Sequence, residues 1–158
     1  MRYLKMISLL TVLLFLIMGL ADKEVKLTEG VMPGNLAPVS NWQGVDIIDN
    51  NCVLVQFWSS SEPQSRLENV KMHNMISQSK SGSLKLVSIS LDENEAVYKG
   101  MIRFDQIDDS TQFHVSSLND AQMFNKYKLD AKAGNWLINS DGVIIATNVD
   151  PDDIRDLI

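Results

Sequence analysis

The chain has 158 residues, 45% hydrophobic and 22% charged, which admits one domain with a real core and leaves too little for two. Its formal net charge of −6 disfavours nucleic acid and anionic membrane surfaces as partners. A single cysteine excludes an internal disulfide framework, so stability has to come from packing.

Residues 1–21 read as a targeting segment. Arg2 and Lys5 give a basic start, Met6 to Leu20 is apolar apart from Ser8 and Thr11, and Gly19-Leu20-Ala21 places small residues where a signal peptidase inspects the chain. The apolar run falls short of the ~20 residues that a spanning helix prefers. A cleaved secretory signal is expected, ahead of the rival reading of an uncleaved anchor. The mature chain would then start at Asp22, in the periplasm or another extracytoplasmic space, with no stable membrane span. Of the 14 basic residues, loss of Arg2 and Lys5 leaves 12 against 20 acidic ones, a net charge of −8.

Residues 22–44 show no sustained period and contain Pro33-Gly34 and Pro38, which reads as an extended lead-in with turns. The folded domain is expected over 45–158. Val53 to Trp58 is a continuous β-prone run suited to a strand buried on both faces. Cys52, just before it, reads as a small buried hydrophobe at a strand start; the alternative is an exposed thiol able to form mixed disulfides. After the polar stretch Ser59 to Gln64, a helix is expected over 64–78 with Leu67, Val70, Met75 and Ile76 sharing its inward face. Leu84 to Leu91 reads as a second strand. Asp92 is the expected N-cap of a helix over 93–107, with Val97, Met101 and Phe104 inward. A short extended piece over 113–115 and a short helix over 119–127 follow.

Trp136-Leu137-Ile138 and Val143-Ile144-Ile145-Ala146 flank Asn139-Ser140-Asp141-Gly142, a hairpin signal in which Gly142 can take positive φ. Asp150 and Pro151 open a last helix as cap and first residue. Val53, Val55, Leu137 and Ile144 are expected in one core. A crossover helix between the first two strands makes them parallel, and the hairpin adds an antiparallel pair. The expected class is α/β, a mixed central sheet flanked by helices.

The strand ending in Phe57-Trp58, the polar loop and the helix starting near Ser65-Arg66 resemble the extracytoplasmic thioredoxin-like thiol–disulfide oxidoreductases. Their signature is Phe-Trp-Ala-Ser-Trp-Cys-x-x-Cys-Arg, and Phe57, Trp58, Ser60 and Arg66 fall on matching positions. Leu137 to Ile144 is similar to that family's late Leu-Ile-Asp-x-Asp-Gly-x-Ile hairpin. The resemblance implies a thioredoxin fold and a redox loop at Ser61, Glu62, Pro63, Gln64 and Ser65. In the ungapped register Glu62 and Ser65 take the two cysteine positions; in the shifted one Ser61 and Gln64 do. Neither holds sulfur, and exchange needs an attacking thiolate and a resolving thiol. The family's proline, normally cis, would precede the aromatic at Trp136, where this chain has Ala133-Gly134-Asn135 and no proline. Glu62 reads as an acidic first-turn residue favourable to the helix dipole.

Other constellations carry less. His73 and His114 lack metal-ligand spacing with any Cys/His/Asp cluster, so no metal is expected. Asp105, Asp108 and Asp109 read as a solvated face. Ser59, Ser60 and Ser61 lack a nucleophile turn and a His/Asp partner, so they read as a loop capping the next helix. Trp42, Trp58 and Trp136 are expected mostly in the core, with Trp58 able to border a groove.

The functional expectation is an exported module with no catalytic residues and no cofactor. It would bind a protein or peptide through Trp58, Ser59, Ser60, Ala133, Gly134 and Asn135 around the degenerate loop. Two alternatives stand beside it: a divergent redox protein using Cys52 or a partner's thiol, and a domain kept for assembly of an envelope complex.

Overall fold

The computed structural model describes residues 27–38, 41–42, 45–46, 52–79, 82–115, 125–129 and 134–154. β1 (Asn41–Trp42) and β2 (Val45–Asp46) form a two-residue antiparallel ladder. The main elements are β3 (Cys52–Trp58), α1 (Pro63–Gln78), β4 (Leu84–Ser90), α2 (Glu95–Phe104), β5 (Gln112–His114), β6 (Gly134–Ile138), β7 (Ile144–Thr147) and α3 (Pro151–Ile154).

These strands make one sheet in the order β5-β4-β3-β6-β7. β3 lies parallel to β4, and β4 to β5, because a helical crossover returns the chain to the same end; β6 and β7 run antiparallel as a hairpin. The hairpin turn closes as its residues dictate: Gly142 has φ 77, and Asn139 Oδ1 accepts the N–H of Val143 at 2.9 Å. α3 starts with Pro151, and Asp150 Oδ1 accepts from Asp152 N–H at 2.9 Å.

The strand register decides which side chains share a face. Val53, Val55, Phe57, Val87, Ile89, Trp136, Ile138 and Ile144 pack together on one face, with Ala37, Tyr127 and Leu129 over them. Residues of the 27–38 segment are stitched to the hairpin: Ala37 N–H donates to Gly142 O at 2.9 Å and Trp136 Nε1–H to Val31 O at 3.1 Å. On the other face Leu54, Leu86 and Leu137 pack with Met72 of α1 and Ile154 of α3, and Trp58 packs with Tyr98 and Ile102 of α2. Leu137 therefore lies across the sheet from Val53, Val55 and Ile144, because it pairs with Leu54 and shares that residue's parity.

Several expectations need correcting. α2 begins at Glu95, and its cap is Asn94, whose side chain accepts from Ala96 N–H at 2.8 Å; Asp92 stands outside the helix. Its buried residues are Tyr98 and Ile102, while Val97 is exposed and Phe104 is 74% exposed under the Arg66 guanidinium. The Val97 stripe is as apolar as the Tyr98 stripe, and docking on Trp58 selects the second. On α1, Leu67 is exposed and the buried residues are Ser65, Asn69, Met72 and His73. The reason lies in the sheet beneath, where Asn135, Gln56, Ser88 and Gln112 form one continuous buried row across four strands. Asn69 binds into that row. Asp105 forms an ion pair with Arg66, so it is not a solvated charge. Of the short helix expected over 119–127, residues 119–124 lie outside the described residues; Tyr127 is buried.

Candidate functional site

β3 and β4 end side by side at Trp58 and Ser90, and the chain beyond them forms the loop that starts α1. A proline at the first helical position and an extended Glu62 (φ −108, ψ 98) set that start. Glu62 is thus the N-cap residue, one place ahead of the first turn where it was expected, and its side chain makes no capping hydrogen bond. Ser65 sits in the first turn and is buried; Gln64 is exposed and reaches Glu68 at 2.9 Å. The cap residue is half-buried and the residue three positions on is buried.

The serine hydroxyls of this loop are engaged within it or with Asp92. Ser65 Oγ accepts the Ser59 N–H at 3.2 Å and donates to Glu62 O at 3.1 Å, tying the loop's two ends together. Asp92 does the rest. Its Oδ1 accepts Ser59 Oγ–H, Ser60 N–H and Ser60 Oγ–H, each at 2.9 Å, and its Oδ2 accepts Ser90 Oγ–H at 3.0 Å. Four donors thus satisfy its oxygens where it is buried. The His114 ring then donates from Nε2 to Asp92 O at 2.6 Å and stacks on Tyr98, centroids 5.1 Å apart. Burial raises the Tyr98 hydroxyl to about 12, so it stays neutral.

Trp58 has 0% exposure, so it forms the loop's underside and not a binding surface as expected. Asn135 is likewise enclosed: its side chain accepts Val149 N–H at 2.7 Å and donates to Val149 O at 3.0 Å. Gly134 is half-buried, and a Cβ there would lie 3.1 Å from the Trp136 ring, which makes it a close-approach glycine. Ala133 lies outside the described residues. Ser59, Ser60, Ser61, Glu62 and Pro63 remain at least partly accessible.

Cys52 is a free thiol at the opposite end of β3, half-buried against the Leu54 cluster. The length of the strand separates it from the loop by about 20 Å. No group of three or more His, Cys, Asp or Glu that could hold a metal occurs among the described residues. Asp92 is the site residue that sequence reasoning misplaced. Its loop partners Ser60 and Ser59 lie 32 and 33 positions away, and no local signal distinguishes a loop anchor from a helix cap.

A mixed sheet in this order, with a helix starting from the loop after its central strand, defines the thioredoxin-fold class. A thioredoxin-like protein from Parabacteroides distasonis, known from a crystal structure, is 35% identical; the match covers 84% of this chain and 98% of that one at a TM-score of 0.77. The chain belongs to the thioredoxin-like family. The thioredoxin domain of a thiol–disulfide oxidoreductase from Bacteroides vulgatus is 19% identical, covering 70% of this chain and 78% of its own, TM-score 0.60. StoA from Bacillus subtilis is 19% identical over 80% of this chain and 97% of its own, TM-score 0.58. These two likenesses bear on the fold alone. No family model and no curated protein matches the chain. No helix among the described residues is long and apolar enough to cross a membrane.

Proposed function

We propose that the chain is an exported thioredoxin-like module without redox turnover that binds a protein or peptide partner at the Ser59–Ser65 loop. Residues 1–21 would serve as the signal segment, 22–44 as the lead-in and 45–158 as the domain. The observation that carries this reading is the chemistry of the cysteine positions. Glu62 and Ser65 stand there in the ungapped register and Ser61 and Gln64 in the shifted one, none of them a thiol, and the Ser65 hydroxyl is engaged with the loop backbone. Disulfide exchange requires an attacking and a resolving thiol, and the chain has one sulfur nucleophile, at the far end of β3.

The test is dithiol-driven reduction of a protein disulfide by the native chain, a Cys52→Ala form and a Glu62→Cys/Ser65→Cys form, with photo-crosslinking from position 61 in cells to capture the partner. The native and Cys52→Ala chains should match the uncatalysed rate. The double-cysteine form should gain weak activity at best, since no proline precedes Trp136 in Ala133-Gly134-Asn135. Native turnover that disappears in Cys52→Ala would instead establish a one-cysteine redox enzyme.

A further inference from the structure

Between the serine loop and the β4–α2 connection lies a groove of about 390 Å³, lined by Ser59, Ser61, Leu91, Glu93, Asn94 and Val97 over the buried Asp92. Leu91 is half-buried and Val97 is 42% exposed, so the groove offers aliphatic surface. A lone exposed valine needs no explanation. Here, however, it borders serine hydroxyls and a carboxylate that present acceptors. Asp92 draws the hydroxyl protons of Ser59, Ser60 and Ser90 inward. Ser59 has no second proton to give, so in its 2.8 Å contact with Ser61 the Ser61 hydroxyl is the donor. Ser61 Oγ is left showing lone pairs at an exposed position. Glu93 adds an exposed carboxylate, and Glu62 stands half-buried at the helix cap. No lysine or arginine lines the groove among the described residues, and Lys99 of α2 is paired with Glu95 at 2.7 Å.

Such a wall of acceptors beside aliphatic surface suits a cation carried on a chain that also has apolar groups. We propose that the groove receives an extended peptide segment bearing lysine or arginine, the cation meeting Glu93 and Ser61 Oγ and a neighbouring aliphatic side chain resting on Leu91 and Val97. Asn94 Nδ2, whose Oδ1 is occupied in capping α2, supplies an N–H for a peptide carbonyl. A polyamine offers neither the branched side chain nor the carbonyl. The assignment rests on the peptide-binding reading above and adds the chemistry of the partner.

Fluorescence anisotropy of the full-length chain tests it, with a labelled, end-capped heptapeptide Ala-Gly-Leu-Lys-Val-Gly-Ala and its glutamate-for-lysine counterpart. The lysine peptide should bind about tenfold more tightly than the glutamate peptide, since charge complementarity favours the first and repels the second. Its binding should weaken in ~0.5 M salt. Glu93→Gln and Val97→Ser should each weaken it about fivefold with unchanged thermal unfolding, both positions being exposed. Equal binding of the two peptides, indifference to Glu93→Gln, or equal displacement by spermidine would overturn the proposal. If a partner crosslinks at position 61 in cells while neither heptapeptide binds, the groove assignment falls and the peptide-binding reading stands. If no partner crosslinks and neither peptide binds, both fall.

Discussion

The face of the sheet under residues 27–38 and the face under the three helices are made from the same strands by different means. On the first, the buried strand side chains are Val, Ile, Phe and Trp, and Phe57 meets Tyr127 and Trp136 with centroids 5.4 and 5.7 Å apart. On the second, the rows change character toward the loop. Leu137, Leu54 and Leu86 come first, then Asn135, Gln56, Ser88 and Gln112, then Trp58, Ser90 and His114, with Asp92 beyond. Apolar burial is non-directional and contributes about 1.5–3 kcal/mol per large side chain. A satisfied hydrogen bond contributes only about 1 kcal/mol net but has one geometry. The apolar face therefore supplies stability, and the polar rows fix where α1 sits and hence where Glu62 and Ser65 stand.

Breaking the apolar face should give the largest effect. Phe57→Ala removes a fully buried ring from the aromatic cluster and should lower unfolding free energy by about 3–5 kcal/mol, read from denaturant midpoints. An effect below about 1 kcal/mol would show that this face is not the stabilising one.

The polar row should respond less, and non-additively. Asn69 Oδ1 accepts Ser88 Oγ–H at 2.6 Å, and Asn69 Nδ2 donates to Gln112 Oε1 at 3.2 Å. Asn69→Leu strands both partners and should cost about 2–3 kcal/mol. Adding Gln112→Leu removes one stranded group and should recover part of that loss, which a double-mutant cycle measures. A purely additive cycle would mean that the row is not a network.

The smallest expected effect sharpens the comparison at the edge of the polar face. His73 Nε2 accepts the Asp108 N–H at 3.4 Å, and its Nδ1 faces Thr111 Oγ1 at 3.4 Å. Burial lowers its pKa below the ordinary 6.5, with Asp108 partly opposing. The folded chain thus prefers the neutral ring. Its contribution is present above pH 6.5 and is lost as pH falls through the depressed folded value, because the unfolded chain takes the proton first. Denaturant midpoints at about pH 8 and about pH 5 should diverge less in His73→Gln than in the native chain.

Asp92 and Gly142 show how far the sequence reaches. Gly142 takes the positive φ expected of it, because its turn is set by residues within four positions. The β3 run, the Asp150-Pro151 helix start and the lack of a cysteine pair were legible for the same reason: each depends on local backbone preference or on composition. The opposite holds for Asp92, the phase of α2 and the side of the sheet taken by Leu137. A one-residue change of phase turns a helix face by about 100°, and both candidate stripes of α2 are apolar. Only packing against Trp58, some forty positions earlier, separates Tyr98 and Ile102 from Val97 and Phe104. The serine loop is the same case. Its residues by themselves announce a helix start, and β3–β4 pairing brings up the carboxylate that orients the Ser59 and Ser60 hydroxyls. Local chemistry was written in the chain, while the partners that give it direction were decided by strand register and helix docking.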